Sequence, residues 1–452
     1  MITFQEFEEK RKEGEAKAIQ DVIHDWQSGE IYKTAVLADT YDRQKNNTIM
    51  QFVKKMFTLA GLEVQDFTAS NNKIASNFFR RLNTQRNTYS LGNGVEFDGE
   101  GVKERFGDRF DTTLLRCGYS ALIHGVCFPF WNGKLTRFEA SEFAPLWDEE
   151  TGALKAGIRF WQIDTDKPMY AEVFEADGMT RWKKDKGDFE VNIPKRAYKQ
   201  RVIETPADGA EITGESNYST IPVFPLYGSS LKQSTLVGLQ HQIDSYDMIR
   251  SGFANDLTDV SQIFWILENY GGMDEGELAK FRDRLKLNHI AEMDTSDGGK
   301  ITPYTMQIPF EARQAYLDGI RKSIYEDFGA LDVHQVSADS TNDHLEAAYQ
   351  PLDENADDYE AQIIEFVQAL GRLLGMTEEE ATPIFKRNRI SNQRETVDMV
   401  VSAAAWLDEE TVLRKLPFLT VDEVEAAMER KGKEEAENAF KMPKKEEVEV
   451  EE

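Results

Sequence analysis

The spacing of apolar side chains changes character three times along this 452-residue chain. At the N-terminus, Thr3 and Glu6 are placed to satisfy each other's backbone donors as a capping box, which opens a helix. Ile49, Phe52, Val53, Met56 and Phe57 recur at three- and four-residue steps, the mark of one apolar helical face. Helical patterning with interruptions is expected to about Leu91, and Asn93-Gly94 marks a turn. From Leu122 the period drops to two. Cys127–Trp131, Asn132-Gly133 and Lys134–Phe138 read as a hairpin with a type I′ turn, whose two central residues both need positive φ. A second hairpin joins Tyr170–Glu175 to Met179–Trp182 through Asp177-Gly178. Residues 121–227 therefore form a β-rich region that ends in the strand-like Ile221–Leu226.

After Ser234 the helical period returns. Leu236, Leu239, Ile243, Tyr246, Ile249, Phe253, Leu257 and Val260 step by three and four, which predicts a helix. Its length is about 25 residues, or roughly 38 Å at 1.5 Å per residue. Asp244, Asp247 and Asn255 sit on its polar face. A second such helix runs from Pro309 through Leu317, Ile320, Ile324 and Phe328 to Gly329. Between the two lies a small α/β module. It comprises a strand at Ile263–Leu267, a helix at Asp274–Leu287, and strands at His289–Met293 and Ile301–Met306. Periodicity lapses after Gly329 until about Thr341. A long helix then runs from Asp343 to Leu374 with a kink at Pro351. Thr377–Glu380 and Thr420–Glu423 are capping boxes opening further helices, and charged Lys441–Glu452 reads as a disordered tail.

Composition narrows the function. The chain carries 81 acidic against 53 basic residues, a net charge of −28, which disfavours non-specific binding to nucleic acid or anionic membrane. Two cysteines, Cys117 and Cys127, argue against a disulfide framework and fit a reducing compartment. The opening residues lack the basic and apolar regions of a signal peptide, and no apolar run approaches the length of a membrane span, so a soluble intracellular product is expected. HExxH, GxSxG and GxGxxG motifs are absent, and Gly133-Lys134 and Gly299-Lys300 lack the flanking residues of a phosphate loop. The six histidines (His24, His124, His241, His289, His334 and His344) are scattered. Asp256 and Asp259 stand one helical turn apart and read as a solvated face rather than a metal pair. The chemistry thus predicts a structural or binding protein with no catalytic residue, no metal and no cofactor.

Several stretches, in order, resemble the portal proteins of long-tailed phages. Asn72-Lys73-Ile74-Ala75-Ser76-Asn77-Phe78-Phe79 leading to Tyr89–Gly94 is similar to one family region, and Tyr119–Val126 to another. The most specific likeness is Ile221–Tyr227, then Leu239–Asp247, then Ser251–Asp256. Ser340–Tyr349 resembles the stretch that opens the helix after the family's channel loop, although Thr341 replaces the usual glycine and the expected lysine is missing.

The resemblance implies an α+β portal fold closing into a ring of about twelve subunits by a repeated head-to-tail interface. Mapped onto this chain, residues 1–232 would be the wing, 233–262 the first stem helix and 263–306 the clip. Residues 307–330 would be the second stem helix, 331–375 the channel loop and long wing helix, 376–440 a helical crown, and 441–452 the tail. Such a ring, at one vertex of the virion and assembled in the host cytoplasm, would conduct double-stranded DNA without sequence specificity. It would dock the terminase large subunit, then a head–tail connector, and meet scaffolding and major capsid proteins but no membrane. Asp332, His334, Gln335, Asp339, Ser340, Asp244 and Asp247 are the expected channel-lining residues. Glu275, Glu277, Lys280, Arg282 and Asp283 are expected to dock the motor. Ile243, Ile249, Phe253, Leu257, Leu317, Ile320 and Ile324 are expected to pack between stems. A mostly negative wall would suit sliding DNA, since each phosphate neutralised by a basic side chain adds binding and hence friction. An assembly adaptor or minor capsid protein that forms no conduit is the competing expectation.

Overall fold

The computed structural model describes residues 1–57, 61–67, 69–99, 101–205, 209–260, 264–268, 300–304, 309–332, 341–389, 393–404 and 408–415, with isolated positions at 276, 406, 424, 427–428, 430–431 and 433. Three helices open the chain: α1 (Phe4–Glu13), α2 (Glu15–Ser28) and α3 (Glu30–Asp42). The expected capping box forms, with the Glu6 amide donating to Thr3 Oγ at 3.2 Å and the Thr3 amide donating to Glu6 at 3.0 Å. In α2 the buried stripe Ala18, Ile19, Val22, Ile23 and Trp26 repeats every three to four residues, so one face is committed to the core.

That face packs on a five-stranded antiparallel meander. Its strands, Phe143–Trp147, Leu154–Gln162, Met169–Glu175, Gly178–Lys184 and Glu190–Arg196, are neighbours in chain order. Alternate side chains such as Ala156, Ile158 and Phe160 enter the core with Phe7, Trp26 and Phe174. Trp26 can be buried because its indole N–H donates to the Ala140 carbonyl at 2.8 Å.

A second core joins α5 (Phe78–Leu91), α6 (Phe110–His124) and the long α9 (Asn342–Leu373). Gly118 marks their closest approach: a Cβ there would lie 2.0 Å from the Tyr359 hydroxyl, which donates to Asn87 at 2.7 Å. Gly118→Ala should therefore cost about 2 kcal/mol or more by overpacking, read as a lower midpoint in denaturant unfolding.

The two expected long helices are α7 (Leu236–Val260) and α8 (Phe310–Phe328). They run antiparallel: Gln242 donates to Asp327 at one end, while Arg313 pairs with Asp256 and Phe253 lies 5.4 Å from Phe310 at the other. Pro309 precedes α8 and Gly329, at φ 62°, ends it, as their chemistry dictates. Beyond α7, Phe264–Glu268 pairs antiparallel with Lys300–Tyr304, close to two of the expected strands. The expected helix 274–287, apart from helical Gly276, and the strand 289–293, capping box at 420–423 and tail 441–452 lie outside the described residues. C-terminal helices α10 (Gln393–Ala403) and α11 (Glu409–Lys415) are present.

Four expectations need correction. The apolar repeat ending at Met56 and Phe57 is not one helix: α4 (Asn47–Gln51) stops early, and Lys55–Phe57 pairs with Glu63–Gln65. Of its members with described side chains, only Ile49 is buried, so the repeat had no core to face. Extended structure begins at Val126 rather than Leu122, because α6 continues to His124 and closes on Gly125 at φ 87°. The Asn132-Gly133 hairpin exists, but Trp131 pairs with Leu135, leaving a three-residue loop in which only Gly133 takes positive φ. The Thr377–Glu380 box forms its reciprocal bonds yet opens no helix, only a turn through Ala381.

Candidate functional site

The second half of α7 is where two of the stretches singled out in the sequence, 72–79 and 239–256, meet. Asn255, Ser251 and Asp247 lie four residues apart on one face of α7. They accept the backbone amides of Asn72 (2.5 Å), Ile74 (3.0 Å) and Ser76 (2.9 Å). The repeats fit: four residues of helix advance about 6 Å, and two residues of extended chain about 6.6 Å. Segment 72–76 is thus strapped along α7 amide by amide.

The strap continues into the N-terminal helices. Asp247 also accepts from the Asn46 amide at 2.5 Å, which donates to the Ser76 carbonyl as well. Asp244 accepts the Tyr41 hydroxyl at 2.5 Å and the Thr48 hydroxyl at 2.8 Å. Burial pushes the Asp247 carboxyl up, against the pull of its bonds from Asn46 and Ser76. The Tyr41 phenol rises too, from burial and from its bond to Asp244.

The expected channel-lining role of Asp244 and Asp247 does not match this geometry. Asp247 is 1% exposed and Asp244 9%, and both spend their acceptors inside the chain. Asp332 is likewise 5% exposed and accepts Arg321 at 2.7 Å. His334, Gln335, Asp339 and Ser340 lie outside the described residues, as do the expected docking residues Glu275, Glu277, Lys280, Arg282 and Asp283.

The described root of the 333–340 segment is firmly held. Arg86 donates to the Phe328 carbonyl at 2.8 Å, with its guanidinium 4.2 Å from the Phe328 ring centre. Burial draws its pKa down to about 10, so it stays charged at neutral pH against the negative C-terminal end of α8. Gln85 donates to the Leu331 carbonyl at 3.0 Å and Asn355 to that of Phe328 at 3.2 Å. On the far side Thr341 caps α9, accepting from the His344 amide. Arg387 and Arg389 then tie Asp353 and Glu360 of α9 to the chain beyond it. Apart from the local Thr341 cap, the sequence signalled none of these partners, because each joins segments well separated in the chain.

The expected stem-packing residues divide in two. Ile243 and Ile324 are fully buried inside the subunit, with Leu317 buried and Ile320 packed beside them. Phe253 is half-buried against Phe310 and Arg313. Ile249 and Leu257, by contrast, are 36% and 54% exposed, and Phe310 and Tyr316 of α8 also present apolar surface. No helix among the described residues is long and apolar enough to cross a membrane.

The model of a family described as phage portal protein, SPP1 Gp6-like, matches residues 32–441. The chain is 25% identical over 423 residues to a portal protein of Clostridium phage phiCD119, covering 86% of this chain and 90% of that one. It is 23% identical over 414 residues to a portal protein of Bacillus phage SPP1, covering 84% and 80%. Among solved structures, a chain from the neck of an empty GTA particle aligns at TM-score 0.44 and 9% identity, covering 76% of this chain and 91% of that one.

Proposed function

The chain belongs to the SPP1 Gp6-like phage portal family, and from that membership we propose that about twelve copies close into a ring by a head-to-tail interface and conduct DNA. Portal proteins are structural, and this chain is a structural protein rather than an enzyme. The observation that carries the ring reading is the outward apolar surface left on the helix pair. Ile249, Leu257, Phe310 and Tyr316 stay exposed, while the core takes Leu236, Leu239 and Ile243 of α7 with Ile324, Tyr325 and Phe328 of α8. A neighbouring copy is the natural cover for such a surface.

In this assignment residues 1–232 are the wing, α7 and α8 the stem, 263–306 the clip, 331–375 the channel loop with the long wing helix, and 376–440 the crown. The ring sits at one vertex of the virion head, where the clip meets the terminase large subunit during packaging and a head–tail connector afterwards. Scaffolding and capsid proteins surround the wing. The net charge of −28 per copy gives a mostly negative lumen that lets DNA slide. His334, Gln335, Asp339 and Ser340 remain its candidate lining, since Asp244, Asp247 and Asp332 have partners within the chain.

The clip assignment is tested by Lys280→Glu with Arg282→Glu in a packaging assay on assembled heads. DNase-protected DNA should fall to background while negative-stain images still show rings. Loss of rings together with packaging would contradict a docking role.

A further inference from the structure

We propose that Asp39, His124 and Glu139 form a binding site for a divalent transition ion of the zinc type. Their ligand atoms all lie within 4.8 Å of one another, although the residues come from α3, the end of α6 and the chain after the first hairpin. His124 is 2% exposed, whereas Asp39 and Glu139 are part-exposed and leave a route for an ion.

The imidazole is oriented for coordination. Ser120, one turn earlier on α6, lies 3.2 Å from Nδ1, and Nε2 faces Asp39 at 2.9 Å. With Nδ1–H donating to the Ser120 hydroxyl, Nε2 carries the free lone pair that a metal needs, the arrangement in which an outer partner fixes the tautomer. His124 is also the last residue of α6, where the partial negative charge of the helix end favours a cation.

The donor set selects the ion. One imidazole nitrogen and two carboxylates make three ligands of a tetrahedral zinc site, with water in the fourth position. Magnesium and calcium prefer shells of oxygen alone. Donors about 2.1 Å from zinc stand roughly 3.4 Å apart, so the cluster needs only a modest contraction. Two contacts give way when it forms: Nε2 gives up to solvent the proton it shares with Asp39 and takes the ion, Nδ1–H then donating to Ser120, and Glu139 releases Arg137, now 2.7 Å away. The ion would join two helices of the helical layer to the β-rich region, so it should raise the stability of the subunit.

The test uses the full-length protein, stripped with a chelator and titrated with Zn²⁺ by calorimetry, with Mg²⁺ as control. One Zn²⁺ should bind per chain and raise the thermal midpoint, and Mg²⁺ should do neither. Co²⁺ in the same site should give the visible absorption of a four-coordinate N/O centre. Ser120→Ala should weaken binding about tenfold by freeing the imidazole, and Glu139→Gln, at a part-exposed position, should weaken it further without unfolding the chain. No saturable heat with Zn²⁺, or binding unchanged in Glu139→Gln and His124→Gln, would overturn the assignment.

Discussion

Asp247→Ala is expected to cost about 3 kcal/mol of stability, because it removes the acceptor of two buried N–H bonds at about 1–3 kcal/mol each. The Ser76 amide loses its bond to the carboxylate, and the Asn46 side chain loses one of its two acceptors and keeps only the Ser76 carbonyl. Asp247→Asn keeps one acceptor oxygen and turns an N–H₂ toward the other donor, so it should lose about half as much. The pH dependence follows from the raised pKa of Asp247. A carboxyl that binds its proton more tightly when folded favours folding below its unfolded value near 3.8. That contribution is lost as pH rises through the folded value. The deficit of Asp247→Ala relative to wild type should accordingly shrink as pH rises across that window. Equal midpoints for the two proteins in urea would mean that the strap along α7 contributes nothing to stability.

A charge on α7 should act in opposite ways at positions only two turns apart. Ile243 is 0% exposed among Leu239, Ile324 and Phe328, so Ile243→Asp buries an uncompensated carboxylate and should cost about 4 kcal/mol or more. The expected result is insoluble or unfolded protein. Ile249, 36% exposed, should tolerate aspartate within about 1 kcal/mol in the single subunit. The same substitution, or Leu257→Asp, should abolish closed rings, because it places a charge where the next copy packs in the proposed ring. Circular dichroism reads the first effect and size-exclusion chromatography with light scattering the second. Rings from Ile249→Asp at wild-type concentrations would remove this face from the interface.

How much of this was legible in the sequence varied with where each partner lies. Helices α7 and α8 were readable because α7 keeps an uninterrupted three-and-four repeat and α8 keeps one from Leu317 to Phe328, bracketed by Pro309 and Gly329. The meander's central hairpin was readable from alternation around Asp177-Gly178, although the loop falls one residue earlier, with Glu175 opposite Gly178. Helix α6 escaped notice because Ser120, Ala121, Leu122, Ile123 and His124 are all buried. A helix end enclosed on every side has no polar stripe to reveal its period. The polar face of α7 misled for the opposite reason. Asp244 and Asp247 look like a solvated surface until the chain from Tyr41 to Ser76, about two hundred residues away in sequence, folds over them. The grouping of Asp39, His124 and Glu139 was hidden in the same way, since no two of them share a helical or strand repeat.

Native mass spectrometry of the purified full-length protein, paired with negative-stain images, tests the central claim most directly. A closed ring of about twelve copies with a central hole is the predicted result. A stable dimer or an open filament under every condition would contradict it, and would favour an assembly adaptor that forms no conduit.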